Sequence, residues 1–247
     1  MGTSAAAGQC YNASAMATTN EIFEELPIFP LATVLFPGAI LPLHIFEDRY
    51  KEMMRFAKEN GNMFGLTYRS DAAVARETPP AVGDIGCVAR IQAVMPLEEG
   101  RMNVISIGLI RFKIAELRQV TPFVLARVEA FSDDLEADED LPEIFDSILE
   151  RCKKFLLAAQ ALDESTTAID EDLPEDPEAF SLLISSALPI DNEAKQSLLE
   201  MTSTRSRLTR LKHYVIDALA SYSGRIEIQA RAKQNGHGKL RDREPDS

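Results

Sequence analysis

Proline cannot donate to a strand ladder and is excluded from helix interiors, so a proline-dense apolar stretch leaves a chain few ways to fold. Leu26–Tyr50, LPIFPLATVLFPGAILPLHIFEDRY, holds four prolines and one glycine among branched and aromatic residues. This pattern predicts short strands joined by a tight turn at Pro37-Gly38, followed by a switch to helical spacing at Phe46. The stretch is a nucleus for a core, and the rest of the chain is read around it.

Phe46, Tyr50, Met53, Met54 and Ala57 recur at the spacing of one helix face, with Gly61 as the stop. Met63 to Tyr68 alternates as a strand, and residues 69–81 with Pro79-Pro80 read as an exposed loop. Gly83 to Met95 and Met102 to Ala115 are strand-like, and PLEEG between them suits a hairpin loop. Gly108 inside the second strand predicts a bulge or a close backbone approach. Phe123 to Phe131, headed by Pro122, is another alternating strand.

From Asp133 the periodicity becomes helical. Asp140 and Glu143 form a capping pair ahead of a stripe of Ile144, Phe145, Ile148, Leu149, Cys152, Phe155, Leu156 and Ala159. Asp176 with Pro177 starts a second helix that buries Phe180, Leu183, Ile184 and Leu188, and Pro189 ends it. Asp191 caps a short third helix through Leu198 and Leu199. Thr202 or Ser203 opens a fourth, in which Leu208, Leu211, Val215, Leu219 and Tyr222 share a face and Gly224 is the stop. The order predicts an α+β chain in four parts: a disordered segment over 1–20, a β-rich unit over 21–132, a helical unit over 133–224, and a flexible polar tail over 225–247.

The net charge of −13 is concentrated in one segment. Residues 133–178 hold 17 acidic side chains against Arg151, Lys153 and Lys154. Such a segment is a solvated face or a docking surface for a basic partner, and it opposes binding to a phosphate backbone. Arg205, Arg207 and Arg210 open the last helix, where cations oppose the helix dipole; solvent exposure is the expected reading, with pairing to the acidic segment or to a partner surface as the alternatives. No apolar run approaches a membrane span, and the N-terminus lacks the basic start and apolar centre of a signal peptide, which places the protein in the cytoplasm. Met1 and Met16 are both candidate starts. Cys10, Cys87 and Cys152 lack metal-site or disulfide spacing, and Cys87 in its apolar strand is expected to be a buried thiol.

The sequence holds no GxxxxGK[ST], GxGxxG, GxSxG or HExxH motif, so no catalytic, cofactor or metal site is expected. His44 reads as a packed, hydrogen-bonded structural histidine at the strand-to-helix junction, together with Glu47, Arg49 and Tyr50.

The stretch at 26–50 resembles the opening of the Lon N-terminal domain family, the substrate-recognition region of the ATP-dependent Lon protease. The resemblance continues through VGDIGCVARI (82–91), EEGRMNV (98–104), GLIRFKI (108–114), PFVLARVEAF (122–131) and LPIDNEAKQSLLEMTSTRSRLTRLKHYV (188–215). It implies a PUA-like β pseudo-barrel with one inserted helix, followed by a bundle of about four helices. The chain ends before an ATPase or Ser-Lys protease module, so the expectation is a stand-alone, non-enzymatic module that binds polypeptides or a protease or chaperone partner. Self-association is compatible with this reading. RNA binding, a use of PUA-like folds elsewhere, is the alternative, and the acidic balance opposes it. The candidate peptide contacts are Phe36 and Phe46, as exposed apolar positions, and the adaptable Met53 and Met54, for which core filling is the more common role.

Overall fold

The computed structural model describes residues 22–134, 140–162 and 173–236. Six strands come first: β1 (Ile22–Leu31), β2 (Ile40–Ile45), β3 (Met63–Tyr68), β4 (Ile85–Pro96), β5 (Met102–Gln119) and β6 (Val124–Ala130). Helix α1 (Asp48–Glu59) lies between β2 and β3, and α2 (Asp71–Ala75) lies between β3 and β4. The helical half is α3 (Leu141–Leu162), α4 (Pro177–Ala187), α5 (Asn192–Leu199) and α6 (Thr204–Gly236).

The strand order is β2-β5-β4-β3-β1-β6, with a further β5–β6 pairing. Strand β5 is long enough to do two jobs. Its second half closes the ring β1–β3–β4–β5–β6 through Phe112↔Ala130 to Gln119↔Leu125, and its first half carries β2 through Ile107↔Ile40 to Met102↔Ile45. Bulges between Cys87 and Ala89, Ile91 and Ala93, and Ile114 and Glu116 bend the ladders, so the ring is an irregular barrel. The expected α+β class, with a strand-rich unit followed by helices, is what the chain forms.

Side-chain volume explains the closure. Phe112 fills the ring interior with Leu26, Ile28, Val88, Ile114, Val124, Ala126 and Val128. Gly65 and Gly86 make room for it, since a Cβ on either would lie 2.7 to 2.8 Å from the Phe112 ring. The opposite face of the same strands packs Phe29, Phe64, Leu66, Cys87, Ala89 and Val104 against Met53 and Met54 of α1.

The turn at Pro37-Gly38 forms as its residues predict. Ala39 N donates to Phe36 O at 3.1 Å, and Gly38 takes φ +79°, the geometry of a type II turn. Gly108 explains itself here too, because a Cβ on it would stand 2.1 Å from Phe36 O. The turn thrusts Phe36 into the helical core beside Ile148, Cys152, Phe180, Ile184 and Leu211.

The caps are in place as the sequence indicates. Asp176 accepts from Ala179 N at 2.8 Å, Asp191 from Ala194 N at 2.7 Å, and Ser203 from Ser206 N at 3.1 Å. Two local readings need correction. The loop over 69–81 contains α2, because Ser70 accepts from Ala73 N and caps a short alanine-rich turn. Gly224 does not stop α6, which runs to Gly236; one glycine costs about 1 kcal/mol, and the Ala, Gln, Arg and Lys residues that follow are good helix formers. Residues 1–20, the acidic stretches 135–139 and 163–172, and the tail over 237–247 lie outside the described residues.

The halves are joined by a buried ionic cluster. Arg207 of α6 is fully buried and reaches both oxygens of Asp133, at 3.0 Å from Nη1 and 2.5 Å from Nη2. Arg111 of β5 contacts the same carboxylate at 2.5 Å, Glu178 at 3.0 Å, and the carbonyls of Leu199 and Met201 at 2.9 and 2.7 Å. Burial pushes the Asp133 carboxyl upward, but Arg207, Thr204 and Arg111 outweigh it and hold the group below its ordinary range. Burial and the neighbouring Asp133 charge push Glu178 the other way. Solvent exposure, the expected reading of the α6 arginines, fails for Arg207, which is buried and paired with Asp133 of the acidic segment; at the surface Arg205 pairs with Asp140 at 3.3 Å.

Two outcomes are expected in chemical denaturation. Gly108→Ala loses about 1–3 kcal/mol or more by overpacking against Phe36 O. Asp133→Ala, which strands two buried guanidinium groups, loses roughly 3–5 kcal/mol. Because the folded-state affinity of Asp133 for a proton is depressed, its stabilisation is present above its unfolded pKa and vanishes as pH falls through the folded one. Glu178 works with the opposite sign. Asp133→Asn should therefore flatten the acid limb of a stability-versus-pH curve, and an unchanged limb would show that Asp133 does not carry it.

Candidate functional site

The segment ILPLHI is apolar at both parities, and a strand can bury only one of them unless both faces are covered. In β2 the buried parity is Leu41, Leu43 and Ile45, which pack toward Met53, Met54 and Val104. Ile40, Pro42 and His44 take the outer face and are exposed.

Register extends that outer face across three strands. Pro42 stands opposite Ile105, which stands opposite Ala93; His44 stands opposite Asn103, which stands opposite Met95. Leu97 continues the row two residues beyond Met95. Ile40 is 68% and Phe46 58% exposed, and Met95, Leu97 and Ile105 are exposed with them.

The sequence-predicted residues separate cleanly. Phe46 lies at the end of this row, its ring stacked on His44 with centroids 6.0 Å apart. Phe36, Met53 and Met54 do not belong to it. Phe36 is buried in the helical core, and Met53 and Met54 fill the space between α1 and the sheet, so none of the three presents surface to a peptide. Helical spacing identified a shared face correctly for the methionines, but that face is the inner one. His44 is hydrogen-bonded, with Nδ1 2.8 Å from Asn103 Oδ1, yet it stands on the exposed face and is not packed in the core.

Glu47, Arg49 and Tyr50 lie where β2 passes into α1. Arg49 donates from Nε to Glu47 at 2.9 Å, pairs with Glu77 at 3.3 Å, and lies 4.7 Å above the Tyr50 ring. Tyr50 in turn packs against Phe29 with centroids 4.2 Å apart, and burial pushes its phenol above the ordinary value. Lys51, one residue on, donates to Asp48 at 3.0 Å and to Glu99 O at 3.1 Å, tying the β4–β5 hairpin tip to α1. Sequence reasoning missed Ile40, Pro42, Met95, Leu97 and Ile105; the double-parity apolar run in β2 was the available signal, and the others meet only through register.

A depression of about 360 Å³ on the outer face of α6 is lined by Arg205, Ser206, Thr209, Arg210 and His213. Ser206 and His213 are separated by two helical turns, about 10 Å along the axis, outside hydrogen-bond reach. Burial pushes the Cys87 thiol far up and the Cys152 thiol up to about 12, so both are protonated. Among the described residues no group of three His, Cys, Asp or Glu side chains is placed to hold a metal ion. Among them, too, no helix is long and apolar enough to cross a membrane.

Comparison with known proteins shows the family of the chain. Residues 25–217 match the family model of the ATP-dependent protease La (LON) substrate-binding domain. The chain belongs to the Lon substrate-binding domain family. It is 24% identical to the Lon protease of Bacillus thuringiensis (strain Al Hakam) over 91% of this chain and 28% of that protein. It is 29% identical to the Lon protease of Anaeromyxobacter dehalogenans (strain 2CP-C) over 74% of this chain and 22% of that one. The chain therefore spans about a quarter of the Lon proteases it matches. Among solved structures it is similar to the Lon N-terminal domain protein from Xanthomonas campestris, with TM-score 0.53 and 23% identity, over 77% of this chain and 98% of that one. It is also similar to the N-terminal domain of the Mycobacterium avium complex Lon protease, with TM-score 0.58 and 22% identity, over 78% and 99%. These two likenesses support the fold.

The division between outer row and core is testable in this Lon-family chain. Phe46→Ser should leave the unfolding free energy within about 0.5 kcal/mol of the parent in chemical denaturation, whereas Met53→Ala should cost about 2–5 kcal/mol.

Proposed function

We propose that this chain is a polypeptide-recognition module, and that its binding surface is the outer face of β2, β5 and β4 bearing Ile40, Pro42, Ile105, Met95, Leu97 and Phe46. The observation that carries the reading is that apolar row, in which Ile40, Phe46, Met95, Leu97 and Ile105 are all exposed. Membership of a substrate-binding domain family supports the partner class. Unfolded or partly unfolded polypeptides expose apolar side chains that a folded protein hides, so such a row selects them over native proteins. The module works by binding, presenting clients to a protease or holding them as a chaperone does, with no chemistry of its own. The free, buried thiols Cys87 and Cys152 suit a reducing compartment such as the cytoplasm.

The test is a fluorescence-anisotropy titration with labelled, reduced and carboxymethylated lactalbumin, which stays unfolded, against native lactalbumin as control. Binding to the unfolded form alone is expected. The double variant Ile40→Ser, Phe46→Ser should weaken it about tenfold while keeping the parent's melting temperature, since each deeply buried anchor is worth on the order of 1 kcal/mol or more. Equal binding by the parent and this variant, or no binding to the unfolded form, contradicts the proposal.

A further inference from the structure

Strand β2 ends the sheet, and among the described strands it pairs only with β5. Its other edge presents backbone groups whose identity follows from the ladder. Gly108 N donates to Ala39 O at 2.9 Å, and the register pairs Ile40 with Ile107. Hydrogen-bonded and non-hydrogen-bonded pairs alternate in an antiparallel ladder, so Leu41, Leu43 and Ile45 direct their N–H and C=O groups to β5. Ile40, Pro42 and His44 direct theirs to the free edge. These same three residues carry the outward side chains of the apolar row.

We infer that β2 captures its client by strand addition: an extended polypeptide segment, apolar at alternate positions, pairs antiparallel with the free edge of β2 while those apolar side chains lie on the outer face beside Ile40, Pro42 and His44. This rests on the polypeptide-binding reading above and gives it a binding mode. Ile40 N–H and His44 N–H donate to the incoming strand, and the carbonyls of Ile40, Pro42 and His44 accept from it. Main-chain bonds supply affinity independent of client sequence, and the outward row supplies the preference for alternating apolar residues.

Pro42 decides which occupant the edge favours. It has no N–H, so an incoming strand loses one donor at that position. A foreign strand meets this defect once. A second copy of β2 brings its own Pro42 to the interface, so the defect counts twice and self-pairing is the weaker alternative. A proline on an edge strand is a recognised device against edge-to-edge association.

The probe is a fluorescein-labelled ten-residue peptide with Ile, Val and Phe at alternate positions and Ser or Lys between them. It is compared with two backbone-methylated forms, one N-methylated at the apolar positions and one at the polar positions. Antiparallel addition orients the amides of the apolar positions toward β2, so methylation there should weaken binding roughly tenfold or more, given about 0.5–1.5 kcal/mol for each lost bond. Methylation at the polar positions should change it less than about threefold on the same per-bond scale. Amide hydrogen exchange of Ile40 and His44, followed by NMR, should slow when the unmodified peptide saturates the protein. In Pro42→Val, which restores a donor, peptide affinity should rise and a concentration-dependent dimer should appear in sedimentation. Equal affinity for all three peptides, with Ile40 and His44 exchange unchanged, overturns strand addition and leaves side-chain recognition of polypeptides standing. Failure of both this peptide and carboxymethylated lactalbumin to bind overturns the polypeptide reading itself.

Discussion

One buried carboxylate, Asp133, holds two buried guanidinium groups, and the arrangement of the two halves depends on it. Arg111 comes from the closed ring of strands, Arg207 from the last helix, and Asp133 from the link between the halves. Each charge is tolerable only because the others are present, so the cluster forms as a unit or not at all. Arg111 also satisfies the carbonyls of Leu199 and Met201 at the end of α5, and its guanidinium lies 5.0 Å from the Phe131 ring centroid. Smaller ties act in parallel: Tyr68 donates to Glu193 at 2.6 Å, Asn192 to Ala32 O at 2.8 Å, and Gln196 to Ile85 O at 3.0 Å. Together with Phe36 in the helical core they fix the bundle to one side of the barrel.

That placement determines what is left uncovered. The ring interior and the α1 face are filled by their own side chains, and the helices take the side reached by Phe36 and Ile85. The outer face of β2 and the adjoining half of the β4–β5 hairpin keep their apolar residues at the surface. A protein with such a face must still avoid its own copies. A net charge of −13 and Pro42 on the edge strand both act in that direction.

The legible parts of the fold were those decided locally. Pro37-Gly38 specifies its turn, Asp176 and Asp191 specify their caps, and Gly108 announces a close approach whatever surrounds it. The resemblance supplied the architecture that joins these pieces. Illegible features were those set by tertiary contact. Periodicity says that Met53, Met54 and Phe46 lie near one another, but not that α1 turns the methionines inward while Phe46, just ahead of the helix, stays in solvent. Arg207 looked like one of three similar arginines; it is singled out by Asp133, 74 residues away, a pairing that no local pattern encodes. The candidate site is the extreme case, since Met95, Ile105 and Pro42 become neighbours only through strand register.

The central claim is that unfolded polypeptide is received on the β2 side of the barrel and not on the helices. Hydrogen–deuterium exchange read by mass spectrometry, with and without saturating carboxymethylated lactalbumin, tests it on the intact chain. The account predicts slowed exchange confined to residues 38–46, 91–97 and 102–107, with the helical half unchanged. Protection located on α3 to α6 instead, or no protection under saturating conditions, would contradict it.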